Sequence, residues 1–204
     1  MRHLTKRFVL TFLTISVLTA CEKPNENTEV ATQAANSNYI SEATKPLKIS
    51  INNPEIINFD GFGPATFGSN EKSVRLSWGR PLSASKPALG SSCYYLNNDP
   101  LPSNHQGIAF MFEDAKFVRY EVNEPTLVAP GDIVVGDTAD KVKQAHAGHI
   151  ESQPHKYIEG AQTLTVTPSN YPNKRLIFEI DGHNTVINWR IGVLPQIYYV
   201  EGCS

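Results

Sequence analysis

The chain has 204 residues, 40% of them hydrophobic, with 18 Lys and Arg, 20 Asp and Glu, and a formal net charge of −2. That length fits one domain with a tether, or two small subdomains sharing a core. The first twenty residues hold three of the basic side chains and none of the acidic ones, so the remainder carries −5. So mildly acidic a surface argues against nucleic acid and against polybasic attraction to anionic lipid, and leaves room for a cationic protein partner.

At the N-terminus, Arg2, Lys6 and Arg7 precede an apolar run from Phe8 to Leu18 that is too short for a permanent bilayer span. Small Thr19 and Ala20 then lead to a thiol. Leu18-Thr19-Ala20-Cys21 resembles the lipobox of bacterial lipoprotein signal peptides. The resemblance implies removal of residues 1–20 and lipidation of Cys21. Glu22 stands where Asp is associated with inner-membrane retention, which implies an outer-membrane address with the domain facing the periplasm. No other segment approaches 18 apolar residues, so the lipid is expected to be the only membrane anchor.

If lipidation takes Cys21, Cys93 and Cys203 remain as a pair in an oxidising compartment, and a disulfide between them is expected. It would close a loop of roughly 110 residues, for which chain-entropy models give about 4 to 5 kcal/mol as an upper value. Residues 21–46 are rich in Asn, Thr, Glu, Ala and Ser and read as a disordered tether. As a flexible coil it would span about 25 to 30 Å. From Leu47 apolar residues alternate, and the globular part is expected to begin there, with a short edge strand.

A shift of 68 positions brings Gly63 onto Gly131, Gly68 onto Gly136, Val74 onto Val142 and Leu96 onto Leu164. It also brings Phe110 onto Phe178, Phe112 onto Ile180 and Val118 onto Val186. Two tandem units are therefore expected, 47–128 (with the N-terminal segment) and 129–204. Each reads as a glycine-bounded turn, a polar cap (Ser69 or Asn70; Asp137 or Thr138), a short helix, and three strands. The strands are predicted near 92–97, 107–113 and 117–122, then 161–167, 175–181 and 185–191, with a closing strand at 196–201. The fold class is α+β: two helix-plus-antiparallel-meander repeats, helices on one face of the sheet, the other face open.

If Leu96, Phe110, Phe112, Val118, Leu164, Phe178 and Ile180 face the helices, their neighbours face outward. That outward set is Tyr95, Met111, Phe117, Arg119, Thr163, Thr165, Ile177 and Glu179, a mixture common in protein-binding surfaces. Along Val186, Ile187, Trp189 and Ile191 the alternation breaks, so the direction of Trp189 is open; it is counted with the candidate partner-binding residues. A second apolar layer covered by the N-terminal segment or by the other repeat is the competing expectation.

A short helix after Gly63-Pro64-Ala65-Thr66-Phe67-Gly68, and again after Gly131-Asp132-Ile133-Val134-Val135-Gly136, each followed by a meander, resembles the SmpA/OmlA-type outer-membrane lipoproteins. In tandem it is similar to the secreted beta-lactamase inhibitor proteins, whose concave sheet grips an enzyme. Gly61-Phe62-Gly63-Pro64, Ser92-Cys93-Tyr94-Tyr95 and Tyr199-Val200-Glu201-Gly202-Cys203 resemble uncharacterised proteobacterial envelope lipoproteins, some of immunity-protein type. The resemblance implies a binding protein that neutralises an envelope-acting enzyme or toxin. An assembly or maintenance factor, and a glycan binder using Tyr95, Tyr198, Tyr199 or Trp189, are the alternatives.

No compact catalytic constellation is present in the sequence. His146-x-x-His149 with His155 has loose zinc-like spacing but lacks the acidic partner of a zincin motif. Ser91-Ser92-Cys93 lacks the glycine elbow of an acyl-transfer nucleophile. The chain is expected to be non-catalytic, without cofactor or metal.

Overall fold

The computed structural model describes residues 56–203. The chain divides into two units, Met1–Pro46 and Leu47–Ser204. The lipobox, the tether and the strand expected from Leu47 lie outside the described residues.

Strands β1 (Ile57–Asn58), β2 (Gly61–Phe62) and β3 (Ala65–Thr66) form a small antiparallel sheet. Helix α1 (Glu71–Trp78) precedes β4 (Leu82–Ala84), β5 (Tyr94–Asn98), β6 (Ile108–Glu113) and β7 (Lys116–Val122). Helix α2 (Ala139–Ala145) precedes β8 (Ile150–Pro154), β9 (Gln162–Val166), β10 (Lys174–Ile180) and β11 (Val186–Val193). The last eight strands form one antiparallel sheet in the order β4-β5-β6-β7-β11-β10-β9-β8. The class is α+β, with two helices, one large sheet and one small one. Each helix leads into four strands rather than the three expected. The extra ones, β4 and β8, are edge strands in which only Leu82 and Ile150 are large and apolar, so alternation gave them no signal.

The capping residues left open by the sequence are Asn70 and Thr138. Asn70 Oδ1 accepts from the Ser73 amide at 3.1 Å, and Thr138 Oγ1 from the Lys141 amide at 3.3 Å. Helix α1 turns Val74 and Trp78 inward and α2 turns Ala139 and Val142 inward, all into one core. Phe62 of the small sheet packs edge-on against Phe110 and Tyr120 and tilted against Trp78. Burial of each such ring contributes about 2 kcal/mol. The Tyr120 hydroxyl donates to the Asn58 carbonyl at 3.1 Å, fixing the small sheet to β7.

Leu96, Phe110, Phe112, Leu164, Phe178 and Ile180 face this core, as the alternation predicted. Two β-bulges overturn the rest of the phase. In the β6–β7 hairpin Phe112 pairs with Phe117, Met111 with Arg119 and Phe110 with Tyr120, so Val118 is the extra residue. Phe117 therefore faces the core and is fully buried, while Val118 sits on the opposite face with Met111. In the β10–β11 hairpin Ile180 pairs with Val186, Glu179 with Asn188 and Phe178 with Trp189, leaving Ile187 as the extra residue. That bulge breaks the alternation along β11. It also turns Trp189 into the core, where it meets Tyr120 edge-on. Phe117 and Trp189 are core residues, not surface ones.

The closing strand expected at 196–201 is instead a single 3-10 turn, Gln196–Tyr198, followed by a further turn that ends at Cys203. Local turn bonds, such as Tyr199 N–H to the Gln196 carbonyl and Gly202 N–H to the Tyr199 carbonyl, join side-chain donors from the sheet in satisfying its carbonyls.

Candidate functional site

One row of residues crosses the helix-free face of the large sheet in register: Ser83, Asn97, Ala109, Glu121, Arg190, Ile177, Thr165 and Glu151. Beside it, Tyr95, Met111, Arg119 and Gly192 pair in a second row on the β5–β7 side. On the β8–β11 side the neighbouring row is Asn188, Glu179, Thr163 and Gln153. These two flanking rows have different fates.

The Tyr95–Arg119 row is covered by the C-terminal segment. After β11 the chain crosses the face, and Cys203 forms a disulfide with Cys93, just ahead of β5. The expected disulfide is present. Beneath the segment, Cys93, Met111 and Val118 form a small apolar cluster with Tyr95, Val193, Tyr199 and Cys203 around it. Arg119, only 2% exposed, organises the contact. Its Nη1 donates to the carbonyls of Gln196 and Tyr199, both at 2.9 Å. Its Nη2 donates to Glu121 Oε1 and to the Tyr95 hydroxyl oxygen, both at 2.6 Å. Burial, with Glu121 adding to it, pushes the Tyr95 hydroxyl well above the usual phenol range. Two glycines make room. A Cβ on Gly192 would sit 2.8 Å from the Val118 carbonyl, beside the bulge. A Cβ on Gly202, at φ +65°, would sit 2.7 Å from the Tyr95 hydroxyl.

The Thr163–Glu179 row stays open. It lies in a groove of about 430 Å³, floored by Thr163, Thr165, Ile177 and Glu179 and walled by Tyr198 and Val200 of the C-terminal segment. Arg190, 6% exposed, is fixed at two points: Nε donates to the Ile197 carbonyl at 3.2 Å, and Nη1 to Glu179 Oε1 at 2.6 Å. Glu179 Oε2 takes the Thr163 hydroxyl at 3.2 Å and lies 3.3 Å from His155 Nε2. His155 Nδ1 accepts from the amides of Tyr157 and Ile158, which leaves the ring proton on Nε2. Both oxygens of Glu179 are thus engaged. Beside the groove, Tyr157, Ile158, Tyr198 and Val200 are each about half exposed, at 56, 50, 48 and 45%. The Tyr157 hydroxyl donates to Glu201, joining the loop after β8 to the C-terminal segment.

Of the candidate binding residues, Thr163, Thr165, Ile177 and Glu179 meet in the groove, although Ile177 itself is only 1% exposed. Tyr95, Met111 and Arg119 are on the predicted face but lie beneath the C-terminal segment, so for them the competing expectation of structural cover is correct. Phe117 and Trp189 are on the other face. The sequence did not point to Arg190 or Gln153, and it offered His155 only through a zinc-like spacing. Arg190 did carry a signal, a lone charge within the apolar run of β11; Gln153 carried none, and nothing local linked His155 to Glu179. His146 and His149 do not converge with His155: the His146 ring donates from Nε2 to the Pro130 carbonyl at 3.0 Å. Among the described residues no group of three or more His, Cys, Asp or Glu is placed to hold a metal ion.

No family model matches the sequence, and no curated protein does. Similar solved structures include an extracellular protein containing a SCP domain from Bacillus anthracis, at 10% identity and a TM-score of 0.44, covering 76% of this chain and 50% of that one. The uncharacterized protein YfeY from Escherichia coli matches at 12% identity and a TM-score of 0.45, covering 67% of this chain and 98% of that one. A DUF4309 family protein, YjgB, from Bacillus subtilis matches at 12% identity and a TM-score of 0.39, covering 61% and 78%. The chain spans half the length of the first of these.

Proposed function

We propose that this chain is an envelope lipoprotein, acylated at Cys21 and held at the outer membrane with its domain in the periplasm. It binds a protein partner without catalysis and inhibits or neutralises an envelope-acting enzyme or toxin. The observation that carries this reading is the half-covered sheet face: a groove beside four exposed aromatic and aliphatic side chains, braced by a disulfide-tied segment. Such a surface is preorganised, which lowers the ordering cost of binding a protein. A non-catalytic role is supported by Glu179, whose oxygens are taken up by Arg190, His155 and Thr163 and are unavailable as a general base.

The domain is a tandem duplication. In support, α1 and α2 begin 68 positions apart, as do β5 and β9, and the two bulges begin at Met111 and Glu179, again 68 apart. Past the bulges the spacing becomes 69, as Val118 and Ile187 show, so Tyr120 corresponds to Trp189 and Val122 to Ile191; Tyr120 pairs with Ile191 and Val122 with Trp189, the reciprocal pattern that a two-fold relation between β7 and β11 requires.

Deletion of the gene tests the function. The mutant should become sensitive to a secreted cell-wall hydrolase, and the purified chain should inhibit that hydrolase in a muropeptide-release assay. Unchanged sensitivity together with a leaky outer membrane in the absence of any attacker would replace this reading with an assembly or maintenance role.

A further inference from the structure

The β5–β7 side of the face displays how this surface holds a peptide. A buried arginine is paired to one carboxylate, Arg119 to Glu121, and its remaining N–H groups donate to backbone carbonyls of the turn-rich C-terminal segment, those of Gln196 and Tyr199. Because the carboxylate neutralises the guanidinium, the pair suits a neutral carbonyl oxygen better than a full anion. Arg190 with Glu179 repeats this composition on the other side of the face. Arg190 is more than nine-tenths buried and anchored through Nε and Nη1. Its Nη2 has no hydrogen-bond partner among the described residues, and its side chain lines the groove. Across Ile177 in the same row, the Thr165 hydroxyl is likewise without a protein partner, and Gln153 stands on the adjacent edge strand. The groove thus offers an anchored donor and a hydroxyl in line across the strands, with Tyr198 and Val200 as its apolar wall.

We infer that the groove takes a peptide segment of the partner protein, one of whose backbone carbonyls accepts from Arg190 Nη2. The segment lies across Arg190 and Thr165, with Tyr198 and Val200 along its flank. This rests on the reading that the chain binds a protein, and it names the part of the partner that enters.

Random linear dodecapeptides on a display library, selected on the immobilised full chain in detergent, test the inference. Counter-selection uses Thr165→Trp, whose indole fills the groove. Enriched peptides should bind the unaltered chain at least about tenfold more tightly than T165W. They should lose a similar factor on Arg190→Lys, which keeps the charge but not the planar fork. Circular dichroism of both variants should match the unaltered chain. Absence of enrichment, equal binding to both variants, or displacement by N,N′-diacetylchitobiose or by acetate would overturn the peptide assignment. The last two results would point to a glycan site and an anion site. Groove-dependent peptides with no hydrolase inhibited would leave the groove assignment standing and sink the inhibitor reading. A hydrolase inhibited equally by T165W would do the reverse.

Discussion

The two sides of the helix-free face share one sheet and diverge in what lies on them. On the β5–β7 side, Tyr95, Met111 and Val118 present apolar surface, and the chain's own last residues cover it. On the β8–β11 side, the neighbouring row holds Thr163 and Glu179, and nothing described covers it. The helix side diverges in parallel. Trp78 packs edge-on against Phe110, while 68 positions later His146 lies tilted against Phe178, with centroids 5.9 Å apart in both pairs. One backbone plan is closed or left available by a few side-chain choices and by the path of the disulfide-tied segment.

Loss of the cover should have the largest effect. Cys203→Ser removes the crosslink and should lower unfolding free energy by up to about 4 to 5 kcal/mol, read by urea denaturation without reductant. Hydrogen exchange should rise around Met111 and Arg119 and stay unchanged at Thr163 and Thr165. Equal increases on both sides would dissolve the distinction between a closed and an open region.

Arg119→Met should come next, at about 3 kcal/mol. It removes the charge partner of Glu121 and one of the two donors to each of the Gln196 and Tyr199 carbonyls, and leaves a gap where the buried guanidinium stood. Equilibrium unfolding measures it. A loss under about 1 kcal/mol would mean that the disulfide alone holds the segment.

The smallest effect separates the helix sides. Burial, opposed by its bond to Pro130, holds the His146 imidazole below the ordinary histidine value of 6.5. The unfolded chain therefore takes up this proton at higher pH than the folded one. The associated stability is complete above about pH 6.5 and is lost as pH falls through the depressed folded value. Because the ring is only half-buried, the loss should stay below about 1 kcal/mol. Denaturation at pH 7.5 and 5.5 should give a smaller difference for His146→Gln than for the unaltered chain. Identical differences would remove His146 as the source.

Much of this architecture was legible in the chain. The helices, the longer strands and the inward residues of β5, β6, β9 and β10 follow from periodicity and caps, and the disulfide follows from counting cysteines. The phase of β7 and β11 did not follow. Each hairpin spends one residue, Val118 or Ile187, on a bulge, and a single extra residue reverses the facing of everything before it. The fate of the outward residues depended on the C-terminal segment. Its path is set by Arg119 and Arg190, residues distant in sequence whose bonds to backbone carbonyls leave no local pattern. The groove was therefore half visible: its threonines and Glu179 by alternation, its arginine and histidine only once the strands were assembled.

The bond between Cys93 and Cys203 spans 110 positions and encloses β5 through β11 within one covalent ring. Exposed turns inside that ring, such as those around Leu101 or Tyr157, are natural places for a protease to cut. A single cut there opens the ring without releasing a fragment, because both ends remain tied through sulfur. A nicked molecule would then run as two bands only after reduction. In surroundings rich in degradative enzymes, the protein can be damaged once and still remain one piece.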